Sequence, residues 1–219
     1  ATGAAQEDRD SGEGLKQACK LFMQAAGAFE SAGEVASQIR GARSFDLSSD
    51  GLRLSTGLML AQAQACFFEK AVLDRRSTSA KPLRSSIIAG LAARAAELFG
   101  QSLEGCPLDG LWVAHMAFQR MCFEANAYYW SAKAEEERGE VEGTGFGSAI
   151  AYHSRALELI ADAIASGDAA EVEAQPLAAA EGLRDRIARE KRTLEVDNAK
   201  VYHEVVPSSE RLRPAKKIA

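Results

Sequence analysis

Apolar residues recur every three or four positions along most of this chain, and the rhythm breaks only at a few Gly-, Pro- and Ser-rich points. That spacing is the mark of amphipathic helices. A first helix is predicted over about residues 12–40, where Leu15, Cys19, Phe22, Ala26, Phe29 and Val35 share helical spacing and Gly41 closes the pattern. Residues 44–50 form a connector that carries capping residues for the next start. The next predicted helix, about residues 50–74, is different in kind. Across 58–68 only Gln62 and Gln64 interrupt apolar or small residues, so every side of the helix is apolar. Such a helix is covered by neighbours on more than one side. It is expected to be the central rod of the fold, ~37 Å long at 1.5 Å per residue.

Residues 75–82 read as a polar loop, and a third helix follows over 83–101, with Ile87 and Leu91 one turn apart on one face. After a break at 105–110, residues 111–138 carry the cleanest stripe. There Leu111, Ala114, Phe118, Met121, Ala125, Tyr128 and Ala132 alternate spacings of three and four, as in a long helix packed along another. A second set, Trp112, Met116, Phe123 and Trp130, predicts burial on a further side. Residues 140–147 should turn, and helices should follow over 146–166 and 176–204, the last stopped by Pro207. Long helices joined by short loops pack antiparallel. The expected class is all-α, a solenoid or bundle of long antiparallel helix hairpins. It is tetratricopeptide-like, although no fixed period repeats. Residues 1–11 read as a flexible lead-in and 208–219 as an extended basic tail.

Composition agrees with this class. Of 219 residues 47% are hydrophobic but only 7% aromatic, so much of the apolar share is alanine, the best helix former. The net charge of −5 argues against nucleic acid, which needs clustered Lys and Arg. Only the tail, with Arg211, Arg213, Lys216 and Lys217, is basic. Four residues point to a solvated terminus rather than a phosphate or membrane site, so membrane association is peripheral at most. Cys19, Cys66, Cys106 and Cys122 lack CxxC spacing, which indicates neither disulfide framework nor zinc. That usage fits a reducing compartment.

Catalytic chemistry finds little support, and no cofactor or metal is expected. His153 shares a face with Ile150, Leu157, Ile160 and Ile164, the setting of a hydrogen-bonded core histidine. Gly143-Thr-Gly-Phe-Gly-Ser148 looks like a phosphate cradle, but a helix precedes it and no Lys-Ser/Thr pair follows, so it reads as an interhelical turn. Glu135-Glu-Glu-Arg-Gly-Glu140 reads as a solvated helix end. Phe67 and Phe68 with Ile87 and Leu91 form an apolar set with two readings: ordinary core, or an exposed groove for a partner's amphipathic helix. Periodicity leaves both open.

Five motifs occur in order: Ala25-Ala-Gly-Ala-Phe29, Asp46-Leu-Ser-Ser-Asp50, Leu58-Met-Leu-Ala-Gln-Ala-Gln64, Phe67-Phe-Glu-Lys-Ala71 and Asp197-Asn-Ala-Lys-Val-Tyr-His-Glu-Val-Val-Pro207. Together they resemble the BRO1 domain of the Alix family, in its middle-to-C-terminal portion. The resemblance implies a curved helical solenoid and a non-enzymatic adaptor. Its partner would be the C-terminal amphipathic helix of a polymer-forming ESCRT-III subunit, bound in endosomal sorting and membrane scission. Carried over by motif, the binding patch falls on Phe67, Ile87 and Leu91, with Lys70 as a polar contact, and Tyr202 matches a tyrosine open to phosphorylation. Ala65 and Gly90 depart from the family pattern, which has Glu and Lys there. The family's domain begins upstream of Gly12, so other protein chains are expected to cover the face of the first two helices. The rival reading is a BRO1-like scaffold subunit of a larger assembly without the ESCRT role. The expected location is cytoplasmic, at the endosomal membrane periphery, and an organelle-resident complex stays compatible.

Overall fold

The computed structural model describes residues 11–38, 44–77, 82–104, 110–170 and 172–218. Among them are six α-helices and no strand: α1 (Gly12–Gln38), α2 (Ser49–Arg76), α3 (Ser85–Leu103), α4 (Leu111–Glu142), α5 (Phe146–Ala169) and α6 (Ala174–Asp197). The lead-in, the closure at Gly41 and Cys106 lie outside the described residues. Local chemistry sets several boundaries. The Ser48 hydroxyl accepts the Gly51 N–H at 3.0 Å and so starts α2. Gly143, at φ 75°, ends α4 in the left-handed conformation that glycine adopts freely.

Each helix packs on its neighbours in sequence, α1 on α2, α2 on α3 and so on to α6, which is solenoid packing. α2 lies between two apolar clusters. Its Met59, Ala63 and Cys66 meet Leu15, Ala18 and Phe22 of α1. Its Ala61, Ala65 and Phe68 belong to the larger cluster shared by α2 to α6. There Phe68 meets Phe123 edge-on at 5.5 Å, and Phe99 stacks on Phe123 at 5.7 Å. The central-rod expectation therefore holds, but three positions run against their polarity. Gln64 is buried, whereas Leu60 and Phe67 are 41% and 49% exposed.

Other expectations need correction. Trp112, assigned to a buried set, is 63% exposed in the first turn of α4. The acidic run 135–140 is not a solvated end, because α4 continues to Glu142 and Glu135, Glu136 and Glu137 all have partners on the protein. The last helix ends before Pro207. A π-helical turn, Asn198–Tyr202, follows α6. The Asn198 side chain donates to the Glu204 carbonyl and accepts the Glu204 N–H, both at 3.0 Å, while His203 turns left-handed at φ 54°. A side-chain clasp, rather than the proline, stops the helix.

The basic tail also departs from a free arm. Its Arg211, Arg213, Lys216 and Lys217 side chains are exposed, as expected. Its backbone is not free. The Tyr152 hydroxyl donates to the Arg213 carbonyl at 2.8 Å and accepts the Arg213 N–H at 3.2 Å. Ala215 and Ile218 pack on the main core, and the Ile218 N–H donates to the Gly90 carbonyl at 3.1 Å. The tail is a strap that runs from α5 back to α3 and α2.

Candidate partner-binding site

α2 and α3 are adjacent helices, and the residues singled out from sequence lie on both. Phe67 of α2 presents about half its surface to solvent. Ile87 is half-buried in the first turn of α3. Leu91 is 9% exposed and belongs to the main core. Gln64, one turn before Phe67, donates through Nε2 to the Leu91 carbonyl at 3.3 Å, which fixes the two helices in register at that level. The Lys70 ammonium is already engaged, since it donates to both Asp74 carboxylate oxygens at 2.8 and 2.7 Å. Phe67 and Ile87 thus offer apolar surface on two adjacent helices, while the Lys70 ammonium is internally paired.

Glu137 of α4 anchors this pair of helices. Its carboxylate accepts the Ser85 hydroxyl at 2.7 Å and the Ser85 N–H at 3.2 Å, and it pairs with the Arg75 guanidinium. The first turn of α3 has no capping side chain of its own, because Arg84 makes no such bond. A carboxylate from another helix supplies the missing acceptor. Burial pushes the Glu137 carboxyl up, but Ser85 and Arg75 outweigh it and hold it below the ordinary carboxylate value. Arg75 also lies over the Trp130 ring, 5.5 Å from its centre. One carboxylate thereby ties the end of α2, the start of α3 and the C-terminal part of α4.

His153 is fully buried, and its Nε2 lies 2.8 Å from a Glu136 carboxylate oxygen. That agrees with the reading of a hydrogen-bonded core histidine. Lys133 bridges Glu136 and Glu190, and the Tyr129 hydroxyl donates to Glu190. Burial works against ionised Glu136, but bonds from His153 and Lys133 prevail and keep its pKa low. The network joins α4, α5 and α6 through paired charges. Among the described residues no three His, Cys, Asp or Glu side chains group as metal ligands.

The glycine-rich turn is filled from within. The Glu204 carboxylate accepts the Gly145 N–H at 2.9 Å and the Gly147 N–H at 2.8 Å, where an external anion would otherwise sit at the start of α5. Tyr202 is 39% exposed and stacks on Phe146, ring centres 3.7 Å apart. Sequence reasoning missed Gln64, Glu137 and the strap. Gly90 was an available signal, since a glycine inside a helical pattern costs about 1 kcal/mol relative to alanine and so points to a packing reason.

Comparison with known proteins identifies the family and the fold. The family model described as BRO1-like domain matches residues 1–219. Human tyrosine-protein phosphatase non-receptor type 23 is 31% identical over 97% of this chain and 12% of its own length. Programmed cell death 6-interacting protein of Rattus norvegicus is 31% identical over 96% of this chain and 23% of its own length. The pH-response regulator palA/RIM20 of Emericella nidulans is 28% identical over 94% and 23% respectively. The chain thus spans a quarter or less of these relatives. Among solved structures, an ALIX BRO1 CHMP4C complex superposes with a TM-score of 0.84 at 31% identity, over 99% of this chain and 57% of that one.

Proposed function

The chain belongs to the BRO1-like domain family, and from that premise we propose that it is a non-catalytic adaptor that docks the C-terminal amphipathic helix of a polymer-forming ESCRT-III subunit across α2 and α3. The observation that carries the reading is Phe67. A large aromatic side chain half-exposed on α2, with Ile87 half-buried on the adjacent α3, is the kind of anchor on which helix-in-groove recognition rests. The ALIX BRO1 CHMP4C complex, with the same fold at 31% identity, supports the choice of partner. Covering the exposed half of Phe67 is worth about 1–1.5 kcal/mol, roughly tenfold in affinity. Micromolar-range affinity, about −8 kcal/mol, requires several further contacts beside it.

Docking on an ESCRT-III polymer would hold the chain at the periphery of endosomal membranes. No described helix is long and apolar enough to cross a membrane, so recruitment through a protein partner fits the structure. Tyr202 is the modification site within this reading. Phosphorylation there adds about −1.5 to −2 charges next to the Glu204 that closes the start of α5. Chemical-shift mapping tests the docking surface. An unlabelled ESCRT-III C-terminal helix should perturb amides around residues 64–71 and 85–94 of the labelled chain. Perturbation confined to α5 and α6, or none at all, refutes the assignment.

A further inference from the structure

We propose that the C-terminal strap is a working part of the partner surface, with Gln64, Gly90 and Ile218 locking α2 to α3 and so positioning the patch. The proposal rests on the docking function above and assigns it a further positioning element. The strap and the segment that leads into it cross two helices where each carries a glycine. A Cβ on Gly147 of α5 would lie 2.5 Å from the Val205 carbonyl oxygen. A Cβ on Gly90 of α3 would lie 2.5 Å from the Lys216 carbonyl oxygen and 2.8 Å from Ile218 Cγ1. Glycine inside a helix costs about 1 kcal/mol relative to alanine. Here its bare backbone leaves the notch in which the strap lies.

At that notch a single side chain joins three elements. Gln64 of α2 donates through Nε2 to the Leu91 carbonyl of α3 at 3.3 Å and to the Ile218 carbonyl of the strap at 2.9 Å. A side-chain amide has two N–H donors, so both are used. Gln64 is 6% exposed, and breaking either bond leaves a buried donor unmet. This knot lies one helical turn from Phe67 and directly at Leu91. Elsewhere the strap is held by Tyr152 at Arg213 and by the ion pair of Lys217 with Glu97, and Pro214, Ala215 and Lys217 border a cavity of about 540 Å³ walled by α3 and α4. Phe67 stays half-exposed with the strap in place, so the strap leaves the patch open to a partner. A strap that positions the patch couples positively to the partner, and linkage makes that coupling reciprocal.

The test uses the full chain with Gly90→Ala. Alanine favours the helix, yet its methyl group collides with strap backbone, so α3 persists while the strap lifts. The Ile218 amide should lose protection from hydrogen exchange, and affinity for an ESCRT-III C-terminal helix peptide should fall about fivefold, within the usual range of coupling. Ile218→Asp, which changes no helix, should do the same. Saturating the native chain with peptide should slow exchange at Ile218. Faster exchange there means that the strap competes with the partner, which overturns the proposal, as does unchanged affinity once the strap is released. If the native chain binds no such helix, the docking function fails and the positioning role is decided alone. Gly90→Ala must then speed exchange in α2 and α3 around Gln64 and Leu91, and unchanged exchange overturns it.

Discussion

Glu137→Gln removes one charge and keeps the side chain's shape, so it isolates what the carboxylate does for the α2–α3 pair. The native carboxylate accepts two bonds from Ser85, a residue with no exposed surface, and faces Arg75. Glutamine retains one acceptor oxygen, and its NH2 group is turned toward donors. Hydrogen bonds to charged groups contribute about 1.5–3 kcal/mol each. The carboxylate is 36% exposed, and solvent screening reduces the Arg75 share. A net loss of about 2 kcal/mol follows, which lowers Tm by roughly 4–8 °C in a domain of this size. Differential scanning calorimetry at pH 7 measures it. The sign with pH is fixed by the low carboxyl pKa in the fold. Stability from the charge is fully present above the ordinary carboxylate value of 4.5 and is lost as pH falls through the lower folded value. The Tm gap between native and variant chains should therefore narrow in acid. Equal Tm values at pH 7, or a gap that stays constant into acid, would refute the anchoring role of Glu137.

Three further outcomes follow. Phe99→Ala opens a hole beneath the stacked Phe123 ring in the fully buried core, and should cost about 3–5 kcal/mol by denaturant titration. Phe67→Asp falls on an exposed ring, so the thermal midpoint should move by no more than a few degrees while partner binding is lost. Burial pushes the Cys122 thiol up to about 12. Alkylation of Cys122 by iodoacetamide at pH 8, followed by mass spectrometry, should be slow in the native chain and fast after denaturation.

The helices were legible because their burial follows from local period. α2 could be placed between two layers from its composition alone, and the alternating stripe of α4 predicted Phe118, Ala125 and Ala132 in the core. Positions that depend on pairing across the fold were not legible. Gln64 looked like an interruption of an apolar face, and only its partners, the Leu91 and Ile218 carbonyls, explain its burial. The acids 135–137 looked like a solvated end because their partners lie up to 62 positions away in sequence. The tail's charge suggested solvent, but charge belongs to side chains, and the strap docks through its backbone and through Ala215 and Ile218. Of the patch residues, periodicity placed Ile87 and Leu91 on one face, while the degree of exposure of Phe67 needed the packed neighbours. Leu91 is the most covered of the three.

The most direct measurement is a fluorescence-polarisation titration of a labelled ESCRT-III C-terminal helix with the native chain and with Phe67→Asp, both verified as helical by circular dichroism. The docking account predicts saturable, micromolar-range binding by the native chain and none by the variant over the same concentrations. Equal affinity for the two chains would contradict it.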